Sequence, residues 1–471
     1  MKKSNFPVEA LPDWCKRYGV ELNSIKVADV PGRGIGWITT EDIRHDSEAS
    51  EPPKPLLVIP GDVIVCREHV GHYAVQNAQF HNLLTAIGYE SDRQLILFHI
   101  LVQLVLSSPD YKGTKLTPNP WTEYISLQPS SVPVPTLWSE AELSLLEATS
   151  LEPAVAAQLI LLDREFTAIQ SKAVSVDFGK EIFEHATLRD WVWVDALYRS
   201  RSFELPFSGV SCVPCLDLAN HGTGRKAQWQ QIEEKETVKL VLKKGAEVKA
   251  GEEITISYGE GKPAAEMLFN YGFVEGEGEK KVMVDLDEAL AEWARKDGLL
   301  KEKLEVFGKS PVLEVMLDEV HGGKGRWKSP FIEFMCVKEE DGLGFRVEAK
   351  EGRQERRVIW KEKKDVTRMV GMWDVFMNAQ DVRNVVRFRA LCVVEGVVEK
   401  QLKRLNARDE MEDEKLVKSG DVRRSVLDNV LELRRIEAGI LQKVLEAVHE
   451  ETERLLKDEK VAAEAHTQSA S

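Results

Sequence analysis

Apolar residues recur along this chain with two periods, and the changes of period mark its organisation. Residues 25–79 carry the short β-branched runs IKVADV, WITTEDI and PLLVIP around the turn cluster PGRGIG, a texture that predicts strands. The polar, proline-rich stretch 43–55 reads as a surface loop. Over 80–190 the spacing changes to three and four residues. LLTAIGYESDRQLILFHILVQLVL and SEAELSLLEATSLEPAVAAQLILLDREFTAI predict helices there, the second opening on a capping box of Ser139 and Glu142. Between them, PNPWTEYISLQPSSVPVPTLW is too rich in proline to be regular. Alternation of period two returns from about 208 to 258, broken by the charged turn KKGAEVKAGEE. Beyond PAAEMLFNYGFVEGEGEKK the chain reads as helical to its end. Its last long helix, over about 423–457, carries Val426, Val430, Leu433, Ile440, Val444 and Val448 on one stripe. There is no internal repeat. The order predicts an α+β chain. A lead-in over 1–24 precedes a β-rich fold in two parts, 25–79 and 191–280, split by a helical insertion over 80–190. An all-α domain over 285–457 and a disordered tail over 458–471 follow.

Composition narrows the function classes. At 471 residues the chain has room for two or three domains. A net charge of −15 argues against broad binding to a phosphate backbone, so nucleic acid is not an expected partner. No run approaches the ~18–20 apolar residues that span a bilayer, and the start MKKSNFPVEALPDWCKRYGV has no apolar stretch behind its lysines, so neither a membrane nor a secretory route is expected. Six cysteines are too few for a disulfide scaffold. The expectation is a soluble intracellular protein.

Three local signatures suggest chemistry and fail on inspection. Gly32-Arg33-Gly34-Ile35-Gly36 resembles a dinucleotide loop, but the third glycine comes one residue early and the strand-prone Trp37-Ile38-Thr39-Thr40 follows where a helix is needed. Cys212-Val213-Pro214-Cys215 has the spacing of a redox pair or half a zinc site, but no second pair matches it, and two small residues in a buried strand are the simpler reading. Glu68-His69-Val70-Gly71-His72 lacks the order of a zinc-binding helix, its glycine weakens any helix, and it reads as surface histidines. No metal is expected.

Four stretches say more together: Gly32-Arg33-Gly34-Ile35-Gly36-Trp37; Arg199-Ser200-Arg201-Ser202-Phe203 after the aromatic DWVWVDALY; Val213 to His221; and Ile254-Thr255-Ile256-Ser257-Tyr258-Gly259 with Tyr271-Gly272-Phe273 beyond it. In this order the chain resembles the SET-domain protein methyltransferases, and within them the Rubisco large-subunit lysine methyltransferase type, whose catalytic domain is split by a helical insert. The likeness runs over about 25–455, with PWTEYISLQPSSVPVPTLWSEAELSLLEATSL similar to the insert and the helices ending VLELRRIEAGIL similar to the substrate-binding domain.

The resemblance implies S-adenosylmethionine as co-substrate. Gly34 and Gly36 then let the backbone approach the ligand, with Arg33 and Ile35 lining it through main-chain groups. Asn220 and His221 offer polar groups to the adenine edge, and Arg201 forks onto the methionyl carboxylate. Tyr258 closes the methyl-transfer channel, Tyr271 lines it, and Asp217 falls near the substrate. Trp191 and Trp193 read as core. The chain departs from the family in LQP where LP is usual, in Gly222-Thr223-Gly224 after the Asn-His pair, and in Lys262-Pro263, departures that bear on the substrate groove more than on the chemistry.

The expected activity is lysine N-methylation of a non-histone protein, such as a ribosomal or metabolic one, docked on the C-terminal helical domain of a monomer in the cytoplasm or nucleus. A histidine target is the alternative, since a member of the group methylates actin at histidine. A catalytically silent SET-like interaction module and a CxxC oxidoreductase are the competing classes.

Overall fold

The computed structural model describes residues 6–46, 54–222, 224, 226–232, 236–276, 278–295, 297–350 and 353–469. The middle of the expected 43–55 loop and Thr223 therefore lie outside the described residues. The chain divides into two compact units.

The first unit comprises 1–138, 155–260 and 269–272. Its strands are short, as the sequence predicts, and pair antiparallel. Ile25–Val30 folds back on Gly34–Thr39 in the register Val30↔Gly34, and Gly34–Thr39 pairs on its other side with Glu253–Ile254. A second sheet has the order Glu21–Leu22, Leu57–Ile59, Thr237–Leu242, Ala227–Ile232. Sequence-distant segments thus share both sheets, which is how a β-fold interrupted by an insertion closes. The helical texture begins earlier than residue 80, at Arg67–Gln76, and continues through Ala78–Ile87, Asp92–Ser107, Leu151–Ala173, Asp177–His185 and Leu188–Arg201. Gly71 does not prevent the first of these helices from forming; His72 on it is exposed, and His69 is half-buried with Nδ1 2.9 Å from the Ile64 carbonyl. Trp14, Trp37, Phe80, Phe98 and Trp191 fill the core, and Trp193 is buried beside them.

The second unit comprises 139–154, 261–268 and 273–471. Residues 139–154, which the sequence reading assigns to the helical insertion over 80–190, group here with the C-terminal helices. Arg423 Nε donates to Glu142 at 2.6 Å, Arg434 Nη2 donates to the Leu145 carbonyl at 2.9 Å, and Ser150 N donates to Glu437 at 3.1 Å. The Ser139–Glu142 capping box is present. The predicted long helix spans Arg424–Leu455, with all six stripe residues buried.

The C-terminal region is largely helical, with a correction to the reading of 285–457 as helix throughout. Lys281–Asp285, Val312–Asp318 and Lys324–Lys328 form one three-stranded sheet, and Leu343–Lys350, Arg353–Trp360 and Lys364–Asp365 form another. In the first sheet Val282, Val284, Leu313 and Val315 are buried and alternate with more exposed neighbours. The second hairpin is so rich in Arg, Glu and Lys that the period-two signal disappears in its sequence. The expected tail is also corrected. Glu459–Ser469 is a helix, started by Asp458, whose carboxylate accepts from Lys460 N at 2.9 Å, and held by Val461, which is wholly buried, and by Glu464, which pairs with Arg389 at 2.6 Å. Among the described residues no helix is long and apolar enough to cross a membrane.

Candidate active site

The site is built on a crossing of two segments from the first unit. Ile256 N donates to the Asn220 carbonyl at 3.0 Å and Gly222 N donates to the Ile256 carbonyl at 3.2 Å, so His221 and Ile256 form a parallel bridge. Two residues on, Tyr258 is set against His221: its N–H donates to His221 Nδ1 at 3.1 Å and the rings lie 5.3 Å apart. The Tyr258 hydroxyl donates to the Ala219 carbonyl at 3.0 Å. Tyr271 donates its own hydroxyl to the Tyr258 carbonyl at 3.0 Å, with the two rings 4.8 Å apart. Burial pushes the Tyr258 phenol up to about 12, against a lowering influence from Arg201. It is therefore a protonated donor at neutral pH.

The glycine turn closes the other side. Gly32 and Gly34 both adopt a φ of +76°, the left-handed region that favours glycine, and a Cβ on either would meet nothing within 4 Å. Gly36 serves differently, since a Cβ there would fall 2.8 Å from Asn220 Nδ2. Its missing side chain admits Asn220, which donates to the Ile35 carbonyl at 3.4 Å and to Glu253 at 2.8 Å. Arg33 Nη1 reaches the His221 carbonyl at 2.9 Å.

A third group lies beneath. Helix Leu188–Arg201 opens on a Thr187–Asp190 capping box and delivers Arg201 at its C-terminal end, where its cation is favoured by the helix dipole. Arg201 Nη1 donates to the Asp217 carbonyl at 2.6 Å and stands 3.7 Å from its carboxylate. The Asp217 side chain is almost wholly buried: Tyr124 donates to Oδ1 and Gln128 donates to Oδ2 at 2.9 Å. Burial raises the Asp217 carboxyl above its ordinary value, against the lowering effect of Arg201, Tyr124 and Gln128. This inward carboxylate holds Tyr124 and Gln128 by hydrogen bonds and stands beside the Arg201 guanidinium. Cys215 sits at a turn with φ of +67° rather than in a strand, its carbonyl accepting from Trp37 Nε1 at 2.7 Å and its N–H donating to Tyr124 at 2.8 Å. Cys212 and Cys215 are buried, and burial pushes both thiols up.

No family model matches the chain. SET domain-containing protein 8 of Schizosaccharomyces pombe is 26% identical over 426 residues, 88% of this chain and 90% of that protein. The chloroplastic [fructose-bisphosphate aldolase]-lysine N-methyltransferase of Arabidopsis thaliana is 29% identical over 271 residues, 56% of this chain and 51% of that protein, so the match spans about half of the plant relative. The crystal structure of the SET domain of LSMT bound to lysine and AdoHcy superposes with a TM-score of 0.66 at 16% identity, covering 95% of this chain and 92% of that one. The chain is thus similar in sequence to SET-domain proteins and protein-lysine methyltransferases. Its fold is the split SET fold, and all ten residues that the resemblance named, Arg33, Gly34, Ile35, Gly36, Arg201, Asp217, Asn220, His221, Tyr258 and Tyr271, fall in the three linked groups described above.

The residues of this SET fold suit S-adenosylmethionine. The exposed backbone at Gly32 and Gly34 carries no side chain to obstruct a ligand, and a guanidinium has five N–H donors of which the Asp217 carbonyl takes one of those on Arg201. Sequence reasoning missed Glu253, Tyr124 and Gln128. Tyr124 and Gln128 stood in the insert motif without an assigned role, and the doubled Glu252-Glu253 beside a strand was the only trace of Glu253. Among the described residues, Glu395, Glu399 and His449 alone bring potential metal ligands within 4.8 Å of one another, and they belong to the second unit.

Proposed function

We propose that the protein is an S-adenosylmethionine-dependent protein-lysine N-methyltransferase in which Tyr258 positions the accepting amine. The carrying observation is the contact of His221 with Tyr258 and of Tyr258 with Tyr271, which sets two tyrosine rings beside the Asn220–His221 pair. S-adenosylmethionine supplies an electrophilic methyl group on a sulfonium. Arg201 takes its carboxylate, with Arg33, Gly34, Ile35 and Gly36 along its length and Asn220 and His221 at its adenine.

A free lysine amine has a pKa near 10.4, so about one in 10³ is neutral at pH 7.4, a cost of roughly 4 kcal/mol. Burial against the two aromatic rings favours the neutral amine. Tyr258 and Tyr271 exclude water and fix the direction of the amine lone pair, and alignment of that kind supplies several kcal/mol. Tyr258 cannot serve as a base, because its phenol keeps its proton. The reading extends to a protein substrate such as a ribosomal or metabolic protein, docked on the C-terminal helical unit of a monomer in the cytoplasm or nucleus; what supports it is the family pattern of the C-terminal helices.

The test is transfer of labelled methyl groups from S-adenosylmethionine into proteins of a knockout lysate, followed by mass spectrometry. Methyl-lysine in a single major acceptor is the expected result. Methyl-histidine would move the target assignment, and no transfer with no uptake of S-adenosylmethionine would leave a silent SET-like module.

A further inference from the structure

Glu253 lies outside every motif that points to the donor site, yet it joins two of them. It occupies the short strand Glu253–Ile254, paired with Gly34–Thr39 in the register Glu253↔Ile38. Successive strand side chains face opposite sides, and the two adjacent glutamates divide accordingly. Glu252 is exposed and is held by Lys226 at 2.9 Å and by the Lys249 N–H at 3.0 Å. Glu253 turns inward, its side chain 16% exposed. Its Oε1 accepts from Asn220 Nδ2 at 2.8 Å, and its Oε2 faces Arg33 Nη1 at 3.2 Å.

Each contact bears on donor recognition. An asparagine amide presents a donor end and an acceptor end. With Nδ2 committed to Glu253 and to the Ile35 carbonyl, Oδ1 is fixed as the opposite end, and the amide cannot flip without setting oxygen against carboxylate. Arg33 spans from Glu253 to the His221 carbonyl, so one carboxylate sets the distance between the glycine turn and the Asn220–His221 segment. Gly36 confirms how close the fit is, since a Cβ there would lie 2.8 Å from Asn220 Nδ2 and 3.0 Å from Glu253 Oε1.

We infer that Glu253 is a positioning residue for the S-adenosylmethionine site, acting through Asn220 and Arg33 to set affinity for the donor and not the rate of transfer. This rests on the methyltransferase reading above. Glu253 is bonded to Asn220 and Arg33 and bears on Tyr258 through charge, adding to the effect of burial on the phenol; its loss therefore falls first on donor affinity, shared by ground state and transition state, which raises KM and spares kcat.

The experiment is calorimetric titration of the full chain with S-adenosylmethionine, beside labelled methyl transfer into lysate proteins at saturating donor. Glu253→Ala is expected to weaken binding tenfold or more while saturated transfer stays within about threefold. Glu253→Gln, which can still accept from Asn220, is expected to restore binding to within about threefold of wild type. Glu253→Asp keeps the carboxylate but shortens its reach to Asn220 and Arg33 and is expected to weaken binding several-fold, which keeps the question answerable if Glu253→Ala does not fold. Unchanged binding in Glu253→Ala or, where that variant does not fold, in Glu253→Asp overturns the inference, as does a Gln variant no better than Ala, or a loss of saturated transfer as large as the loss of binding. A wild type that takes up no S-adenosylmethionine overturns the methyltransferase reading itself and this inference with it.

Discussion

Tyr258 meets three constraints with one side chain. Its hydroxyl is spent on the Ala219 carbonyl, its N–H on His221, and its carbonyl on Tyr271, so neither ring can move without breaking a bond to a neighbouring site residue. Removing the hydroxyl leaves the aromatic wall in place. Tyr258→Phe should therefore lower kcat at least tenfold, about 1.4 kcal/mol of transition-state stabilisation, while the Kd for S-adenosylmethionine stays within about threefold; turnover at the wild-type rate would dismiss the positioning role. The pH profile carries a second expectation. Because the phenol is held up at about 12, its ionisation cannot limit the rate below pH 10, and kcat/KM should climb with the neutral fraction of the lysine, about tenfold per pH unit from 7 to 9. A downturn near pH 8 would mean that the phenol ionises early. At this scale the motifs were legible because each is a run of neighbours in sequence. Glu253, Tyr124 and Gln128 were not, because their partners, Asn220 for the first and Asp217 for the other two, lie 33, 93 and 89 residues away and only the fold introduces them.

Elements were legible where burial left a clean period. The Arg424–Leu455 stripe and the Ile25–Val30 hairpin read directly, while the Leu343–Lys350 and Arg353–Trp360 strands are masked by charge and Glu459–Ser469 by small residues. The clasp of 139–154 on the second unit was invisible for another reason. Glu437 looks like any helix-surface acid in sequence, yet it is 1% exposed and accepts from both the N–H and the hydroxyl of Ser150. Burial pushes its carboxyl up to about 7 from an ordinary 4.5. The folded state then binds a proton more tightly than the unfolded one, so this group's contribution is fully present below about pH 4.5 and is lost as pH rises to 7, up to about 3 kcal/mol. Glu437→Gln keeps an acceptor for Ser150 without the titration. Denaturant melts of the two proteins at pH 5 and pH 7 should show the variant gaining on wild type as pH rises; parallel pH dependences would place the Glu437 titration elsewhere.

For the whole molecule the net charge of −15 becomes a statement about encounter rather than fold. The helical insert and the C-terminal sheets were not needed to see it, since it follows from composition, but its consequence depends on the proposed chemistry. A lysine-bearing basic protein approaches this surface down a favourable potential, and the Debye length shrinks from about 10 Å at 0.1 M salt to about 3 Å at 1 M. S-adenosylmethionine is small, and the contacts proposed for it with Arg33, Arg201 and Asn220 are short-range, so its binding should respond far less. Raising salt from about 20 to 500 mM should cut kcat/KM for a basic acceptor protein several-fold, while KM for S-adenosylmethionine and transfer to an acidic acceptor change little. Steady-state assays with the acceptors found in the lysate experiment decide it. If basic and acidic acceptors lose rate equally, long-range charge has no part in choosing the substrate, and selection must rest on short-range contacts.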